Sequence, residues 1–513
     1  MSFDVIVIGA GIGGLGCAAR LTRAGRRVLV LEKNNHIGGT AYVFQRKGFT
    51  FPMGPLSFSF PDRVKSFLAA AGVEAEIGFR RNHFQLISPS LDIIYSAPLR
   101  LVKRELAKAF PLEKQGLEAF FGDLAEIIRQ IKDVHLWHPD YWPRTARLRL
   151  GRKKPPLSRD PARILDYSRT ACRRLLERHL NNPTHKNFLG SQGTSEPEMS
   201  VLALAFMWNV MSEVGIWSPS CGIHGLSDLL AEAVIGNGGE VRVNSGVKDI
   251  RVEKGKVTGV RTESGETLEA PWVVSNVDPK TTFLELFSPA DIPRPFLATI
   301  AAIPYTGSEL CVYLGLDPRR VDWKRMRATH LFYRQEEEPL VAGRDALEDF
   351  ENREIEICRW SDNSPDHVPP GKVSVVLRVG FPYDYFSGYR TGEKKRKTEY
   401  RALKSALTQK LIAASENVLP GLGAAAEVVE TATPLTYADW GRRNQGSIAG
   451  WTWNAVYRRL FEGKLLIETP LQNLLLVGIY AATELFLGGV PTAMHTADLA
   501  ARIILGDTNW ADS

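Results

Sequence analysis

A glycine-rich fingerprint near the amino terminus constrains the fold of this chain more than any other feature. An apolar stretch, Val5–Ile8, leads into a G-x-G-x-x-G sequence formed by Gly9, Gly11 and Gly14, and Glu32 lies eighteen positions beyond the last glycine. In this setting Gly9 permits a tight turn, Gly11 lets a pyrophosphate approach the backbone, and Gly14 lets a helix pack closely on the strand. The free N–H groups of that helix favour phosphate, and Glu32 is placed to accept a hydrogen bond from a ribose hydroxyl. The sequence therefore predicts a βαβ unit that binds a dinucleotide.

The residues beyond Glu32 indicate which dinucleotide is bound. A nicotinamide-binding fingerprint usually ends at its acidic residue, whereas here the pattern continues through Ile37 to Gly38-Gly39. Because glycine carries no side chain, the second pair lets the chain pass close to the cofactor, which is typical of the longer flavin-binding variant. We therefore predict that the cofactor is FAD.

Length and composition bound the rest of the molecule. A chain of 513 residues is too long for one compact core, so we expect two closely connected domains. The five cysteines are scattered and form no C-x-x-C or Cys/His cluster, so we predict no metal site. No apolar run reaches the roughly 18 residues that a bilayer-spanning helix needs. We therefore expect a cytoplasmic protein, either free or bound peripherally to a membrane.

One segment carries most of the positive charge. The chain has a net charge of +7, but the stretch from Arg144 to Lys186 holds thirteen Lys and Arg against three acidic residues, a net +10. Trp137 and Trp142 lie just before it, and basic residues beside aromatic ones suit an anionic membrane surface. We therefore predict membrane contact through residues 137–186, with a solvated basic helix face as an equal alternative. No recognisable nucleic-acid module accompanies this charge, so we expect no nucleic-acid partner.

Several further segments resemble one family of flavoproteins. The resemblance is carried by Gly38-Gly39-Thr40, the run from Gly48 to Pro55, Gly222-Ile223-His224-Gly225-Leu226, Ser275-Asn276-Val277-Asp278-Pro279, Gly446–Gly450 and the stretch Asn473–Pro491. On these segments the chain resembles the phytoene desaturase-like flavoproteins, which include bacterial phytoene desaturases, carotenoid isomerases and retinol saturases. The match is good at both ends of the chain and over residues 220–280, and poor over residues 80–210 and 290–430.

The resemblance implies a fold class and a domain arrangement. We expect an α/β protein with a Rossmann-like FAD-binding domain, built on a parallel sheet with a β-meander, and an interleaved α+β substrate domain, as in amine oxidases and phytoene desaturases. The FAD-binding domain would comprise residues 1–75, 215–285 and 440–513. The substrate domain, which would also face the membrane, would comprise residues 76–214 and 286–439.

The resemblance also implies the site residues and the chemistry. FAD would be bound non-covalently, and a carbon–carbon double bond of a long apolar isoprenoid or carotenoid would be inserted, saturated or isomerised, with NADPH as a candidate external reductant. The residues expected to contact the cofactor are Gly9, Gly11, Ile12, Gly14, Glu32, Lys33, Gly39, Thr40, Val247, Asn276, Gly478, Gly489 and Val490. Glu484 and His495 lie in the segment nearest the expected flavin and are candidates for the catalytic acid or base. The alternatives are a surface position for Glu484 and a structural role for His495.

Three positions depart from the family pattern, so the sequence does not select one type of reaction. Thr40 stands where desaturases commonly have arginine, Ile479 where many relatives have an acidic residue for a ribityl hydroxyl, and Pro52 where aspartate is frequent. Desaturation, saturation and isomerisation therefore all remain candidate reactions. A flavin enzyme that oxidises amines or porphyrinogens is a second hypothesis, and a flavin-binding scaffold without turnover is a third. An aromatic cage beside the flavin would favour an amine, whereas an elongated apolar tunnel would favour an isoprenoid.

Overall fold

The chain alternates helices and strands over most of its length. A computed structural model describes residues 3–133, 161–191, 198–336, 344–362, 367–458, 466–482 and 488–507. The helices in these ranges are α1 (Ile12–Arg23), α2 (Pro61–Ala70), α3 (Leu99–Ala109), α4 (Lys114–Asp133), α5 (Pro161–Arg169), α6 (Cys172–His179), α7 (Pro183–Ser191), α8 (Val201–Asn209), α9 (Gly222–Gly236), α10 (Pro279–Glu285), α11 (Arg294–Ala302), α12 (Arg344–Glu348), α13 (Tyr383–Ser387), α14 (Glu399–Glu416), α15 (Leu422–Ala425), α16 (Pro434–Trp440), α17 (Ala455–Arg458) and α18 (Gly489–Leu505).

The strands belong to several sheets that draw on distant parts of the chain. In chain order they are β1 (Val5–Ile8), β2 (Val28–Leu31), β3 (Val43–Arg46), β4 (Phe49–Pro52), β5 (Phe58–Ser59), β6 (Phe79–Asn82), β7 (Phe84–Ile87), β8 (Asp92–Ile94), β9 (Ile216–Pro219), β10 (Glu240–Arg242), β11 (Val247–Glu253), β12 (Lys256–Thr262), β13 (Thr267–Glu269), β14 (Trp272–Ser275), β15 (Glu309–Leu316), β16 (His330–Tyr333), β17 (Ile355–Cys358), β18 (Val373–Gly380), β19 (Arg390–Gly392), β20 (Lys395–Arg396), β21 (Ala426–Ala432) and β22 (Leu474–Leu476).

A parallel sheet contains the glycine-rich fingerprint. Its five strands lie in the order β10-β2-β1-β14-β22, and every neighbouring pair is parallel. All four residues of β1 and of β2 are buried, as expected for strands that are covered on both faces. Helix α1 packs against α9 and α18, so the fingerprint and the carboxyl-terminal helix share one core. The predicted Rossmann-like domain is thereby confirmed.

Two other sheets complete the predicted architecture. Strands β11-β12-β13 form an antiparallel meander. A seven-stranded sheet has the order β21-β15-β18-β17-β16-β7-β8, in which only β16 and β7 pair in parallel. Its strands come from residues 84–94 and 309–432, interleaved in the chain with the strands of the parallel sheet. The fold class is confirmed, whereas the domain boundaries given above stay predictions.

The seven-stranded sheet has one apolar face and one mixed face. Side chains alternate along a strand, so neighbouring residues point to opposite faces. Leu310 and Leu377 belong to a core that includes Leu411 of α14. Glu356 and Arg378 occupy the opposite face, where they meet residues of the fingerprint region in the cavity described below. The alternation thus places charged groups of this sheet at the cavity.

The described residues include only part of the predicted membrane-contact segment. None of the helices in the described ranges is both long and apolar enough to cross a bilayer. Residues 137–160 of the predicted membrane-contact segment lie outside the described part. The rest of that segment forms α5, α6 and the beginning of α7.

Candidate active site

One large cavity contains nearly all of the predicted cofactor residues. Its volume is about 1160 Å³, and its wall combines the carboxyl ends of the parallel strands with the mixed face of the seven-stranded sheet. The predicted residues that line it are Gly9, Gly11, Ile12, Glu32, Lys33, Gly39, Thr40, Val247, Asn276, Gly478, Gly489 and Val490. Gly14 is not among the lining residues. A Cβ there would be 2.0 Å from the carbonyl oxygen of Gly9. Gly14 therefore serves the packing of α1 on its own turn.

The turn between β1 and α1 offers backbone donors to this cavity. Gly9 has a φ of +94°, in the left-handed region that glycine adopts without strain. Helix α1 begins at Ile12, directly after Gly11, and no described side chain caps it. Its first N–H groups therefore remain available, and together with the helix dipole they favour an anion.

Asn276 holds the fingerprint turn against the end of the sheet. A Cβ added at Gly11, Gly13 or Gly478 would lie 2.7, 2.5 or 2.6 Å from an atom of the Asn276 side chain. Such distances are shorter than van der Waals contact, so the side chain fits only because all three positions are glycine. Gly13 was not among the predicted site residues, although it stands inside the fingerprint.

Glu32 is held in place by the backbone around the cavity. Its two carboxylate oxygens accept hydrogen bonds from the backbone N–H groups of Ala10 and Asn34, each at 2.8 Å. Burial raises the pKa of Glu32 above its ordinary value, although these hydrogen bonds and the charge of Arg442 oppose the rise. Each oxygen keeps a further lone pair for a hydroxyl donor. The neighbouring Lys33 forms an exposed ion pair with Glu263 at 2.8 Å.

Thr40 is in contact with an arginine that the sequence did not suggest. The Thr40 Oγ1 atom accepts a hydrogen bond from Nη2 of Arg443 at 2.7 Å. Arg443 also donates to the carbonyl oxygen of Ile448 at 2.8 Å, and both Thr40 and Arg443 line the cavity. A cation from the segment after α16 therefore lies beside the Gly38-Gly39 turn.

The carboxyl-terminal segment completes the wall opposite α1. The Gly478 N–H donates to Thr496 Oγ1 at 2.9 Å, which ties the end of β22 to α18. Helix α18 begins at Gly489, after Gly488 with a φ of +97°. Gly489 and Val490 line the cavity, so the amino-terminal ends of α1 and α18 lie at the same space.

Of the two candidate catalytic residues, one lies outside the described part of the chain and the other does not line the cavity. Glu484 lies within residues 483–487, outside the described part. His495 is buried on α18 and is not among the residues that line the cavity. Burial lowers the pKa of His495 to about 4, so the side chain is neutral near neutral pH.

A row of charged residues on the seven-stranded sheet lines the opposite side of the cavity. We call Glu309, Arg378 and Glu356 the charged row. Arg378 lies 3.1 Å from Glu309 and 3.6 Å from Glu356, measured between guanidinium nitrogen and carboxylate oxygen. Burial alone would raise the pKa of Glu356, but the hydrogen bond with His330 and the charge of Arg378 bring it below its ordinary value. The row therefore alternates negative, positive and negative.

Sequence reasoning missed the charged row, although a signal was present. In Ile355–Cys358 and Val373–Gly380 single charged residues interrupt apolar runs, a pattern that also fits an ordinary half-exposed strand. The pairing of Arg378 with both Cys311 and Glu356 joins strands far apart in sequence, and this register cannot be read from the sequence.

Three aromatic residues beside the cavity pack on one another. Tyr305 and Trp451 stack with ring centroids 5.1 Å apart, and Tyr480 meets Trp451 edge-on at 5.6 Å. The Trp451 indole N–H donates to the carbonyl oxygen of Tyr480 at 2.8 Å. Tyr305 and Tyr480 line the cavity, whereas Trp451 is not among its lining residues. No group of three or more His, Cys, Asp or Glu residues suited to a metal ion occurs in the described part.

Comparison with known proteins decides the family. The sequence profile of the family "Flavin containing amine oxidoreductase" matches residues 12–505, which is almost the whole chain. The chain belongs to this family. The family of flavin-dependent oxidoreductases and a flavin cofactor are thereby established, in agreement with the resemblance found in the sequence.

Individual relatives are similar at modest identity. The prolycopene isomerase of Daucus carota is 29% identical over 310 residues, which cover 57% of this chain and 49% of that protein. The all-trans-retinol 13,14-reductase of Danio rerio is 24% identical over 547 residues, covering 98% of this chain and 86% of that protein. The chain therefore spans about half the length of the first of these relatives. Putrescine oxidase bound to putrescine shares the fold, with a TM-score of 0.66, 15% identity and 99% coverage of both chains.

The lowered pKa of His495 predicts a pH-dependent loss of stability. The side chain titrates at about 4 in the folded protein, against an ordinary value of 6.5. As the pH falls below 6.5, the unfolded chain takes up a proton that the folded protein does not, so stability decreases until about pH 4. Between about pH 7 and about pH 5, the free energy of unfolding should fall by about 2 kcal/mol more in the wild type than in His495→Gln. Denaturant unfolding at the two pH values measures this difference.

His83→Gln, at an exposed position, is the matched control. It should lose as much stability as the wild type over the same pH range. An equal loss of stability in wild type and His495→Gln would contradict the prediction.

Proposed function

We propose that this protein binds FAD non-covalently in the cavity and uses it to insert, saturate or isomerise a carbon–carbon double bond of an isoprenoid substrate. The observation that carries the proposal is the convergence of the predicted cofactor residues on one cavity, beside the amino-terminal ends of α1 and α18. The domain division predicted from the sequence, and NADPH as an external reductant, are parts of the same proposal.

The residues present fit an adenine dinucleotide. Gly11 and Gly13 leave the α1 side of the cavity wall without side chains, so that backbone N–H groups are accessible to a diphosphate. Glu32 and Val247 extend the lining past the diphosphate region, where an adenosine would be bound. At about 1160 Å³ the cavity exceeds the ~300–1,000 Å³ of a typical single-ligand pocket, which leaves room for a substrate beside the cofactor.

The chain supplies binding, orientation and electrostatics to the reaction. When bound, FAD supplies a hydride acceptor or donor at its flavin ring. The first N–H groups of α1 would bind the diphosphate, and the Glu32 carboxylate would accept a hydrogen bond from a ribose hydroxyl. Thr40, oriented by Arg443, would face the middle of the cofactor. The positive end of the α18 dipole at Gly489 would stabilise negative charge at the flavin end.

The proposed substrate class rests on the relatives. The isomerase and the reductase reported above are named for prolycopene and all-trans-retinol, both isoprenoid polyenes. An amine or porphyrinogen oxidase, and a flavin-bearing scaffold without turnover, remain the alternative functions.

Cofactor binding is tested by filling the turn. Gly11→Trp should abolish the yellow colour of the purified protein and its uptake of FAD, because a side chain there would displace the Asn276 amide and distort the turn that would bind the diphosphate. Gly236→Trp is the matched control, since that glycine is exposed and an added Cβ would meet nothing within 4 Å outside its own helix and chain neighbours. A wild-type protein that cannot be reconstituted with FAD, or a Gly11→Trp variant that retains it, would contradict the proposal.

Turnover is tested by anaerobic mixing of the FAD-loaded protein with candidate electron donors. An isoprenoid substrate of a desaturase should bleach the visible flavin absorbance, and a saturase or isomerase should require prior reduction, for which NADPH is the first candidate. Bleaching by amines alone would favour the amine oxidase alternative. The absence of reduction by any donor would support the scaffold.

We further propose peripheral membrane contact through residues 137–186. The proposal is supported by exposed arginines on α5 and α6, whereas Cys172, Leu175 and Leu176 point into the protein. The exposed arginines are Arg163, Arg169, Arg173, Arg174 and Arg178. A cationic surface of this kind attracts anionic lipid headgroups.

Co-sedimentation with liposomes tests this contact. Binding to phosphatidylserine-containing liposomes should exceed binding to neutral liposomes and should weaken as salt shortens the Debye length from its value of about 10 Å at 0.1 M. Replacing Arg174 and Arg178 by glutamine should reduce it, whereas Arg46→Gln, far away in sequence on β3, should not. Equal binding to neutral and anionic liposomes would refute the electrostatic contact.

A further inference from the structure

One arginine at the cavity is not neutralised by a carboxylate. Four arginines line the cavity, and in three of them a guanidinium nitrogen lies 2.7 to 3.1 Å from a carboxylate oxygen. These three are Arg378, Arg390 and Arg442, whose partners are Glu309, Asp439 and Glu393. The fourth, Arg443, forms no ion pair with any residue of the described ranges. The cavity wall therefore carries one positive charge without a counter-charge.

The guanidinium group of Arg443 is held by neutral oxygen atoms. Its Nη2 atom donates to the Thr40 hydroxyl at 2.7 Å, and its Nη1 atom donates to the carbonyl oxygens of Ser447 and Ile448 at 3.2 and 2.8 Å. These bonds fix the direction of the group without cancelling its charge. Arg443 is only half-buried and lines the cavity, so part of the side chain is accessible to a ligand. A guanidinium has more N–H donors than these bonds use.

The contact with Thr40 places this charge beside the fingerprint turn. Gly38 and Gly11 pair as a parallel β-bridge, and a Cβ added at Gly39 would lie 3.4 Å from the Cα atom of Gly11. The second glycine pair therefore packs directly on the turn that precedes α1, and Thr40 is the next residue. Arg443 and the first N–H groups of α1 thus border the same part of the cavity, where a diphosphate would be bound.

The backbone around Arg443 adopts a conformation that is uncommon for residues other than glycine. Arg442 has a φ of +53° and Gln445 a φ of +54°, both in the left-handed region. Such conformations persist only where the surrounding structure fixes them, and they are concentrated at ligand-binding sites. Here the Gly446 N–H donates to the carbonyl oxygen of Arg443 at 3.0 Å, and the Ser308 hydroxyl donates to that of Gly446 at 2.7 Å. The turn therefore presents Arg443 in a fixed orientation.

The proposed ligands of the cavity differ in the charge that they offer to Arg443. A hydrocarbon polyene offers none, and the flavin ring, ribityl chain and adenosine of oxidised FAD are neutral. The negative charge of FAD is on its diphosphate, and arginine binds phosphate oxygens through paired hydrogen bonds. A charge that is partly removed from water is costly unless a partner compensates it. The diphosphate is therefore the part of the proposed ligands that suits this guanidinium.

We propose that Arg443 binds the diphosphate of FAD. This inference rests on the proposed function and adds a cofactor ligand that lies far outside the fingerprint in sequence. Thr40 stands where desaturases commonly have arginine, and its hydrogen bond with Arg443 brings a guanidinium from the segment after α16 to the same neighbourhood. The positive charge of Arg443 and the amino-terminal end of α1 together neutralise the diphosphate.

Equilibrium binding to the full chain freed of FAD tests this assignment, with FAD, ADP and adenosine as the probes. ADP carries a diphosphate without the flavin, and adenosine carries no phosphate. Arg443→Gln should weaken the binding of FAD and of ADP about tenfold to hundredfold, as for a charge-assisted hydrogen bond, and should leave adenosine binding unchanged. The affinity of the variant for FAD should also depend less steeply on salt than that of the wild type.

Two further variants separate the charge from the fold. Arg443→Lys keeps a positive charge and should bind FAD more tightly than Arg443→Gln, whereas Arg46→Gln on exposed β3 should bind all three probes as the wild type does. Wild-type affinity for FAD in Arg443→Gln, equal weakening of ADP and adenosine, or equal FAD affinities of the glutamine and lysine variants would overturn the proposal while the cofactor assignment stands. A wild type that takes up no FAD would remove the proposed function itself.

Discussion

The close contact between Asn276 and three glycines is the constraint on which the rest of the site depends. Gly11 directly precedes α1, Gly13 lies in its first turn, and Gly478 follows β22. Asn276 directly follows β14. A side chain at any of these glycines would occupy the volume of the Asn276 amide. The contact joins three neighbouring parts of the parallel sheet at their carboxyl ends, which is where open α/β sheets bind their ligands. The absence of side chains at these glycines lets this corner pack closely beside the cavity.

The two sides of the cavity differ in what they offer a ligand. The parallel-sheet side presents backbone N–H groups, two helix ends and Glu32, a combination suited to a dinucleotide. The seven-stranded sheet presents alternating charges that merge into the apolar surface at Phe332. The first set follows from local sequence, whereas the second arises only when distant strands pair. The fingerprint side and the sheet side therefore form two chemically different walls of one cavity.

The sequence predicted the cofactor side because its signals are local. The spacing from Gly9 to Glu32 and the pair Gly38-Gly39 encode a turn, a helix and a second strand within forty residues, and the structure brings them to one cavity. Arg443 could not be predicted, because its contact with Thr40 joins positions 403 residues apart. His495 stands close to the expected flavin in sequence, but the helical period turns it away from the cavity, whereas Val490 faces it. Sequence proximity is therefore a poor guide to a catalytic role on a helix.

The central claim is that the cavity binds a complete FAD molecule, and titration of the apoprotein with different flavins tests it most directly. The account predicts one FAD bound per chain and much weaker binding of FMN, because FMN lacks the adenylate half that Glu32 and Val247 would contact. Binding of FMN as tight as that of FAD would contradict the placement of the dinucleotide along the fingerprint. Binding of neither flavin would contradict the account as a whole.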